Sequence, residues 1–517
     1  MAQAKKVLDQ KRKREKSSEE PKLIRRSSRV KGDVAPNVYV TNDTGGKFTI
    51  GGTGTLESGG SDYSAVPAPE FYGNRVNDGA DVSIYEGNEV EEGAEEERRR
   101  AVEEERGDIG RIMGTLAAAT GGDKGKGKGK AKKAPKPSSS SSSLSSSSLV
   151  SKLSSVSISS EPLTAKVTPD RIYSIAVAPL PSKTLIAAGD KRGYLGIWDA
   201  TTRAEDSIVC TWQPHRHQRG GQITQLQFTE RCDLLSVSYD GTARLLDVEK
   251  GVFKSVFQAY DDEADEKYAA SAGYGTLPGD GWMQFGVVPP SASDSLFMST
   301  SKGGLIHYDM RSKTVAFSVQ LSPKKINTVS VHPDNFTVAT CGLENCVSLW
   351  DVRKFSAKGS KGKSGSAYKP VDRVDFVRSV TSAYFNKTGD KLLTTNMNDT
   401  LCVLPVASGG KLSGAGTSVA HDNQTGRWLT TFHAVWHPSR DVFACGSMKQ
   451  PRGMDVFSCE ALKGGGGGDG KVRISKAERV TGDVVTAVPS RVAWHENGEI
   501  LVGGNASGRV VVADINR

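Results

Sequence analysis

The chain has 517 residues, of which 36% are hydrophobic, 7% aromatic and 25% charged, with a formal net charge of +9. Mean hydropathy is −0.41, and no apolar run approaches the ~18 residues of a membrane helix. The lysine-rich Met1–Gln10 has no apolar stretch behind it, so neither a membrane span nor a secretory signal is expected.

Composition changes near residue 160. Upstream lie a Gly-rich stretch (Gly45–Gly60), an acidic run (Glu86–Glu105), a Lys/Gly alternation (Gly121–Lys130) and a serine tract (Ser138–Ser148). Such segments bury too little apolar surface to offset the entropy of ordering, so residues 1–160 are predicted to be a long disordered tail. Within it, Glu89–Leu116 has helical charge pairing (Glu95–Glu97 before Arg98–Arg100) and is expected at most as a solvated helix without a packing partner. Two basic clusters, Lys11–Arg14 and Arg25–Lys31, have the character of a nuclear-import signal or a phosphate-binding arm, with a plain solubilising tail as the alternative. Phosphorylation of Ser27 or Ser28, inside the second cluster, would oppose either active role.

Residues 161–517 repeat. An apolar-alternating strand, a polar turn, a second apolar strand, a small-residue turn and a third strand recur seven times. The clearest copies are Ile172–Asp199, Ile223–Asp247 and Lys325–Arg353; weaker ones are Trp282–Asp309, Val380–Pro405, Phe432–Phe457 and Ser490–Asp514. Trp198-Asp199 and Trp350-Asp351 carry the dipeptide of WD repeats, Leu246-Asp247 and Tyr308-Asp309 are near variants, and His332-Pro333 and His437-Pro438 occupy one turn in two copies. The spacing approaches the ~40–45 residues of that repeat once insertions are allowed. The predicted fold is therefore all-β: a seven-bladed WD-repeat β-propeller preceded by the tail. Since the last copy ends at Asp514, the segment Pro162–Pro169 is expected to supply the missing outer strand and close the ring.

Catalytic signatures do not assemble. Gly362-Lys363-Ser364 ends like a phosphate loop, but Ala357 stands where its first glycine belongs, and Gly122–Lys128 has Gly129 where a hydroxyl must reach magnesium. The pair His215 and His217 lacks further ligands for a metal. The seven cysteines are odd in number, show no C-x-x-C spacing and lie beside apolar runs, which disfavours a disulfide framework or zinc cluster. No enzyme activity, cofactor, metal or small-molecule substrate is expected.

Sorting the loops of the repeats onto two faces separates the charge. One face receives the second-to-third strand turns and the segments leading into each repeat, and it carries Lys191, Arg192, Lys302, Lys325, Arg378, Arg427, Arg452 and Arg491, with Arg171, Arg216 and Arg219 among others. Its acids are fewer, and the opposite face is not basic. A ring of cations around a channel mouth is the footprint of a phosphate-backbone partner. Trp282 and Trp428 enter the same face, either as stacking platforms for a displaced base or as packing between blades. Asp240, in Tyr239-Asp240-Gly241-Thr242, reads as a structural turn aspartate.

The repeats resemble the family of nuclear WD-repeat DNA-damage-binding proteins of the changed-mutation-rate type, itself similar to the small subunit of the damaged-DNA-binding heterodimer. The likeness is carried by Gly220–Asp247, Asn423–Pro438 and Arg491–Asp514, and by Arg25–Gly32 in the tail; the Asn/Leu-rich opening expected upstream is absent. It implies binding of duplex DNA with a preference for damaged sites, a nuclear location and a role in genome maintenance on chromatin. Separately, Val338–Arg353 is similar to the WDxR box by which some propellers dock on the adaptor of cullin-4 ubiquitin ligases. Trp350, Asp351 and Arg353 match it, and Asp309 and Arg311 form a looser match in the preceding repeat. Arg353 either reaches a partner or pairs with Asp351. The rival to DNA binding is thus a protein-interaction scaffold: a substrate receptor of such a ligase, or a reader of histone tails.

Overall fold

The computed structural model describes residues 48–49, 55–56, 109–118, 146–158, 163–201, 209–215, 221–247, 251–259, 283–355, 368–407, 410–412, 416–461 and 472–515. The basic clusters, both phosphate-loop look-alikes, Arg216, Arg219, His217 and Trp282 lie outside the described residues. Residues 1–60 form one unit, of which a short hairpin pairing Phe48 with Leu56 is described. Residues 61–517 form the second, treated below.

Seven antiparallel sheets follow one another in the second unit. Blade 1 begins at Ile172–Val177, blade 2 at Ile223–Phe228, blade 3 at Met283–Val287, blade 4 at Ile326–Val331, blade 5 at Val380–Phe385, blade 6 at Val435–Trp436 and blade 7 at Arg491–Trp494. These innermost strands touch in succession, and that of blade 7 touches that of blade 1, so the ring is closed. It is a seven-bladed β-propeller. The outer strand of blade 7 comes from the other end of the repeats: Thr164, Ala165 and Lys166 pair with Val511, Val510 and Arg509.

Burial explains the strand patterns. The first strand of blade 1 alternates between buried and partly exposed residues, of which Tyr173 lines the channel cavity and Ile175 and Val177 pack against the junction core. Second strands such as Leu185–Asp190 and Thr337–Gly342 are buried throughout, because blades cover both of their faces. The core is divided among the blade junctions; between blades 7 and 1, for example, Trp198, Ile172, Ile186, Val502 and Val510 pack together. All seven cysteines are buried and free, and burial pushes the Cys341 and Cys402 thiols up to about 12.

A histidine joins neighbouring blades at three junctions. His332, His437 and His495 each accept a backbone N–H two residues on through Nδ1, and Nε2 bonds a carbonyl of the next blade: Gly389, Gly498 and Leu180. The Cβ of any other residue at Gly498 (φ +75°) would lie 2.3 Å from the His437 ring, so this contact requires glycine. At His437, donation from Nε2 while Nδ1 accepts goes with a neutral imidazole, and burial pushes its pKa down to about 4.

The folded body starts earlier than residue 161. The serine tract runs into the helix Ser146–Ser155, whose Leu149, Val150 and Leu153 join Ile158, Val442, Met454, Val456 and Val480 in one buried cluster on blades 6 and 7. Ile158 extends it through a backbone bond to Thr481, and Ser154 donates to Glu478 Oε2 at 2.6 Å. Residues 109–118 are also helical, with Ile112, Met113 and Leu116 buried and Thr115 Oγ1 accepting from Lys183. Over residues 109–116 this replaces the solvated, partnerless helix expected from sequence; three apolar residues on one helical face are enough to dock it.

Two outcomes are expected. Leu153→Ala should destabilise the chain by about 2–5 kcal/mol in chemical unfolding, the range for a large-to-small change in a closed core. Stability should also fall as pH drops from 6.5 to 4, because unfolded His437 takes up a proton that the folded ring refuses. The shift corresponds to about 3 kcal/mol, and His437→Gln should flatten this limb of the stability–pH curve.

Candidate nucleic-acid interface

The channel mouth is built by a repeated irregularity in the innermost strands. In blades 1 to 5 the pairing with the second strand slips by one residue, between Ile172 and Ser174, Ile223 and Gln225, Met283 and Phe285, Ile326 and Thr328, and Val380 and Ser382. The skipped residues are Tyr173, Thr224, Gln284, Asn327 and Thr381. A β-bulge re-aims the extra side chain, and all five line a single cavity of about 360 Å³. Sequence reasoning missed these residues, although a signal exists. Ile172 and Ile175, Ile223 and Leu226, Ile326 and Val329, and Val380 and Ala383 are three apart, whereas an uninterrupted strand keeps its apolar face at even spacing.

Cations gather at the same end. Lys325, Arg427 and Arg491 line the cavity, as does Arg171, whose guanidinium donates to Tyr173 Oη and to the Arg427 carbonyl. Arg378 is exposed on the segment leading into blade 5, next to Val377. Lys191, Arg192 and Lys302 lie in second-to-third strand turns of blades 1 and 3 and are exposed; Arg192 is paired with Asp170 at 3.0 Å. Arg452 is half-buried beside the turn that opens the third strand of blade 6, and its carbonyl accepts from Thr481. The structure thus brings Lys325, Arg427 and Arg491 together and leaves the others on the surrounding turns.

The acids of this face are engaged. Asp190 is fully buried and accepts from the backbone N–H groups of Asp170, Arg192 and Tyr194, while Glu344 and Asp375 both pair with Arg373. Asp399 accepts from Asn423 N. Asp240 bonds His215 Nδ1 at 3.0 Å, and Ser236 takes the other ring nitrogen; this is the turn role expected of that aspartate. Among the described residues Lys325, Arg378, Arg427 and Arg491 form no ion pair. Apolar tips stand beside them: Leu343 is 43% exposed, Val377 81% and Trp428 87%. A surface of uncompensated cations and bare apolar tips can hold phosphates at its rim and stack on or wedge between bases.

On the opposite face, Trp350 is buried and donates to Thr340 Oγ1. Arg353 makes a bidentate pair with Asp351, both contacts at 2.9 Å, and its guanidinium lies 3.8 Å from the Phe336 ring centroid. Asp309 accepts from the N–H groups of Arg311 and Ser312.

Residues 317–351 match the family model described as WD domain, G-beta repeat. "WD repeat-containing protein 76" of Xenopus laevis is 32% identical over 356 residues, 68% of this chain and 54% of that protein, and its namesake in Mus musculus is 31% identical over 68% and 50%. "DNA damage-binding protein CMR1" of Phaeosphaeria nodorum is 30% identical over 381 residues, 68% of this chain and 66% of that protein. The chain belongs to the WD-repeat family of the CMR1 proteins. It spans about half to two-thirds of the length of these relatives. The channel mouth is where the first strands of blades 1 to 5 and 7, and the segment leading into blade 6, contribute unlike side chains to one cavity.

Asp190 gives this face a pH signature. Burial pushes its carboxyl up to about 6, so between pH 3.8 and 6 the unfolded chain is ionised while the native one keeps its proton. Its contribution to stability is therefore complete below 3.8 and lost as pH rises through 6. Asn505 fills the same turn role in blade 7, accepting from Ser507 N and Arg509 N. Asp190→Asn should accordingly gain stability over wild type as pH rises from 4 to 7, by about 1–3 kcal/mol, measured by urea unfolding at each pH.

Proposed function

We propose that the chain is a nuclear, non-catalytic DNA-binding propeller that grips duplex DNA through its cationic channel mouth and favours damaged or distorted sites. The observation that carries this reading is the pairing pattern of the face: Glu344 and Asp375 pair with Arg373 and Asp170 with Arg192, while Arg378 and Arg427 stand exposed and form no ion pair among the described residues, next to Val377 and Trp428. Those cations would hold phosphates, and Arg192, Lys191 and Lys302 would extend the footprint around the rim. A lesion lowers the energy needed to unstack a duplex by about a few kcal/mol, so an exposed indole gains most where the stack is already weakened. The CMR1 relatives, which are named DNA damage-binding proteins, point the same way.

The scaffold reading would use Asp351 and Arg353. Docking there would have to break a bidentate pair and unstack Arg353 from Phe336, so that surface favours the intramolecular role. A nuclear address fits a chromatin substrate and the Lys/Arg clusters of the tail.

Binding of the full chain to one labelled duplex, intact or ultraviolet-irradiated, across a salt series tests the proposal. Arg378→Glu and Arg427→Glu should each weaken binding to both duplexes and reduce the salt slope by about one. Trp428→Ala should lower the preference for the irradiated duplex and leave the salt slope unchanged. Variants that bind like wild type would remove the channel mouth from DNA contact.

A further inference from the structure

Two cations of the channel are only partly exposed and line its cavity. Arg491, the first residue of the innermost strand of blade 7, and Lys325, just ahead of that of blade 4, line the cavity rather than its rim. Burial pushes Arg491 down to about 10 and lowers Lys325 as well. A cavity of about 360 Å³ admits a small molecule or one chain end, not a double helix.

The chemistry of the lining is one-sided. Arg171, Lys325, Arg427 and Arg491 contribute four cations, and among the described residues no aspartate or glutamate contributes to the wall. His433 is held neutral by burial and by Arg491 and Lys325, and accordingly adds hydrogen-bonding capacity without neutralising either cation. The Nε atoms of both Arg491 and Arg171 are sealed from solvent and, among the described residues, have no hydrogen-bond partner. Burying a guanidinium with an open donor is unfavourable by itself; structural buried arginines are compensated by a carboxylate. Here the protein supplies tyrosine and hydroxyl groups instead: Tyr173 Oη accepts from Arg171 and keeps its own proton to donate, and Thr224 and Thr381 line the same wall, while Asn327 Nδ2 is already given to the Val380 carbonyl.

We propose that the channel is a binding site for one compact phosphate group, either a free inorganic phosphate or the terminal phosphate of a nucleic-acid strand. Arg491 and Lys325 supply its charge partners. The site is separable from the rim contacts proposed above: Arg378 is exposed on the surface and does not line the cavity, so loss of duplex binding in Arg378→Glu would leave the site intact, and failure of the site would leave the Arg378 contact untouched.

Thermal unfolding of the full chain at constant ionic strength tests this, with orthophosphate, pyrophosphate, and a short single strand carrying either a 5′-phosphate or a 5′-hydroxyl. The expected result is a saturable rise in Tm of at least about 3 °C, weakened at least about tenfold in apparent affinity by Lys325→Met and abolished by Arg491→Gln. A rise with the phosphorylated strand but not the hydroxyl strand assigns the strand terminus as the source; a rise with inorganic phosphate and no difference between strands assigns the free anion. Lys325→Met keeps the test decisive if Arg491→Gln does not fold. No rise with any of the four, or the same rise in the variants as in wild type, overturns the proposal.

Discussion

Three backbone pairs, from Thr164–Lys166 to Arg509–Val511, hold the last blade to the start of the repeats. Every blade junction is a two-sided packing problem, in which buried strands such as Leu185–Asp190 need a neighbour on each face. A ring left open would expose two such faces and an unpaired strand edge, so the closing strand stabilises each junction as well as its own. The histidine contacts work in the same direction. His495 reaches from blade 7 to Leu180 of blade 1, across the junction that the closing strand completes. The helix Ser146–Ser155 continues the same chain segment and packs over blades 6 and 7, so the polypeptide that closes the ring also covers a junction beside it.

Closure places the mouth of the channel on a rigid frame. Because each innermost strand is anchored by the apolar residue before its bulge, buried at Ile172, Ile223, Met283, Ile326 and Val380, the following side chain is aimed inward at a fixed level. The repeats thus supply a common backbone, and the bulge position supplies diversity: tyrosine, threonine, glutamine, asparagine and threonine in turn. Charge is then added from the segments between blades. Acids that would cancel it are occupied by backbone N–H groups, by a histidine or by Arg373, and this local satisfaction, more than the modest net charge of +9, gives the face its sign.

The repeat pattern made the architecture legible because apolar alternation, small-residue turns and the aspartate dipeptides are all local signals. The closing strand was legible too, since Pro162–Pro169 directly precedes the first repeat and so stands beside the last blade once the ring closes. The helices at residues 109–118 and Ser146–Ser155 were harder to read. The first follows a long charged run and the second is mostly serine, and only Ile112, Met113 and Leu116, or Leu149, Val150 and Leu153, are buried apolar residues in them. Tertiary packing overrides such composition. The split of the basic residues into rim and interior was equally hidden: Arg378 lies two residues before a first strand and Arg491 opens one, yet the former is exposed and the latter lies in the cavity. Loop length alone does not encode that difference. For Arg353 the sequence left two roles open, and its bidentate pair with Asp351 favours the internal one.

The central claim is that the propeller mouth, rather than the basic tail, carries DNA affinity. Its most direct test is the affinity of the full chain for duplex DNA after the Lys and Arg residues at positions 11–14 and 25–31 are all replaced by glutamine. The account predicts that affinity falls by less than about tenfold at moderate salt, with the preference for irradiated DNA retained, since the rim contacts remain. Loss of binding in that variant would contradict it and assign DNA contact to the tail.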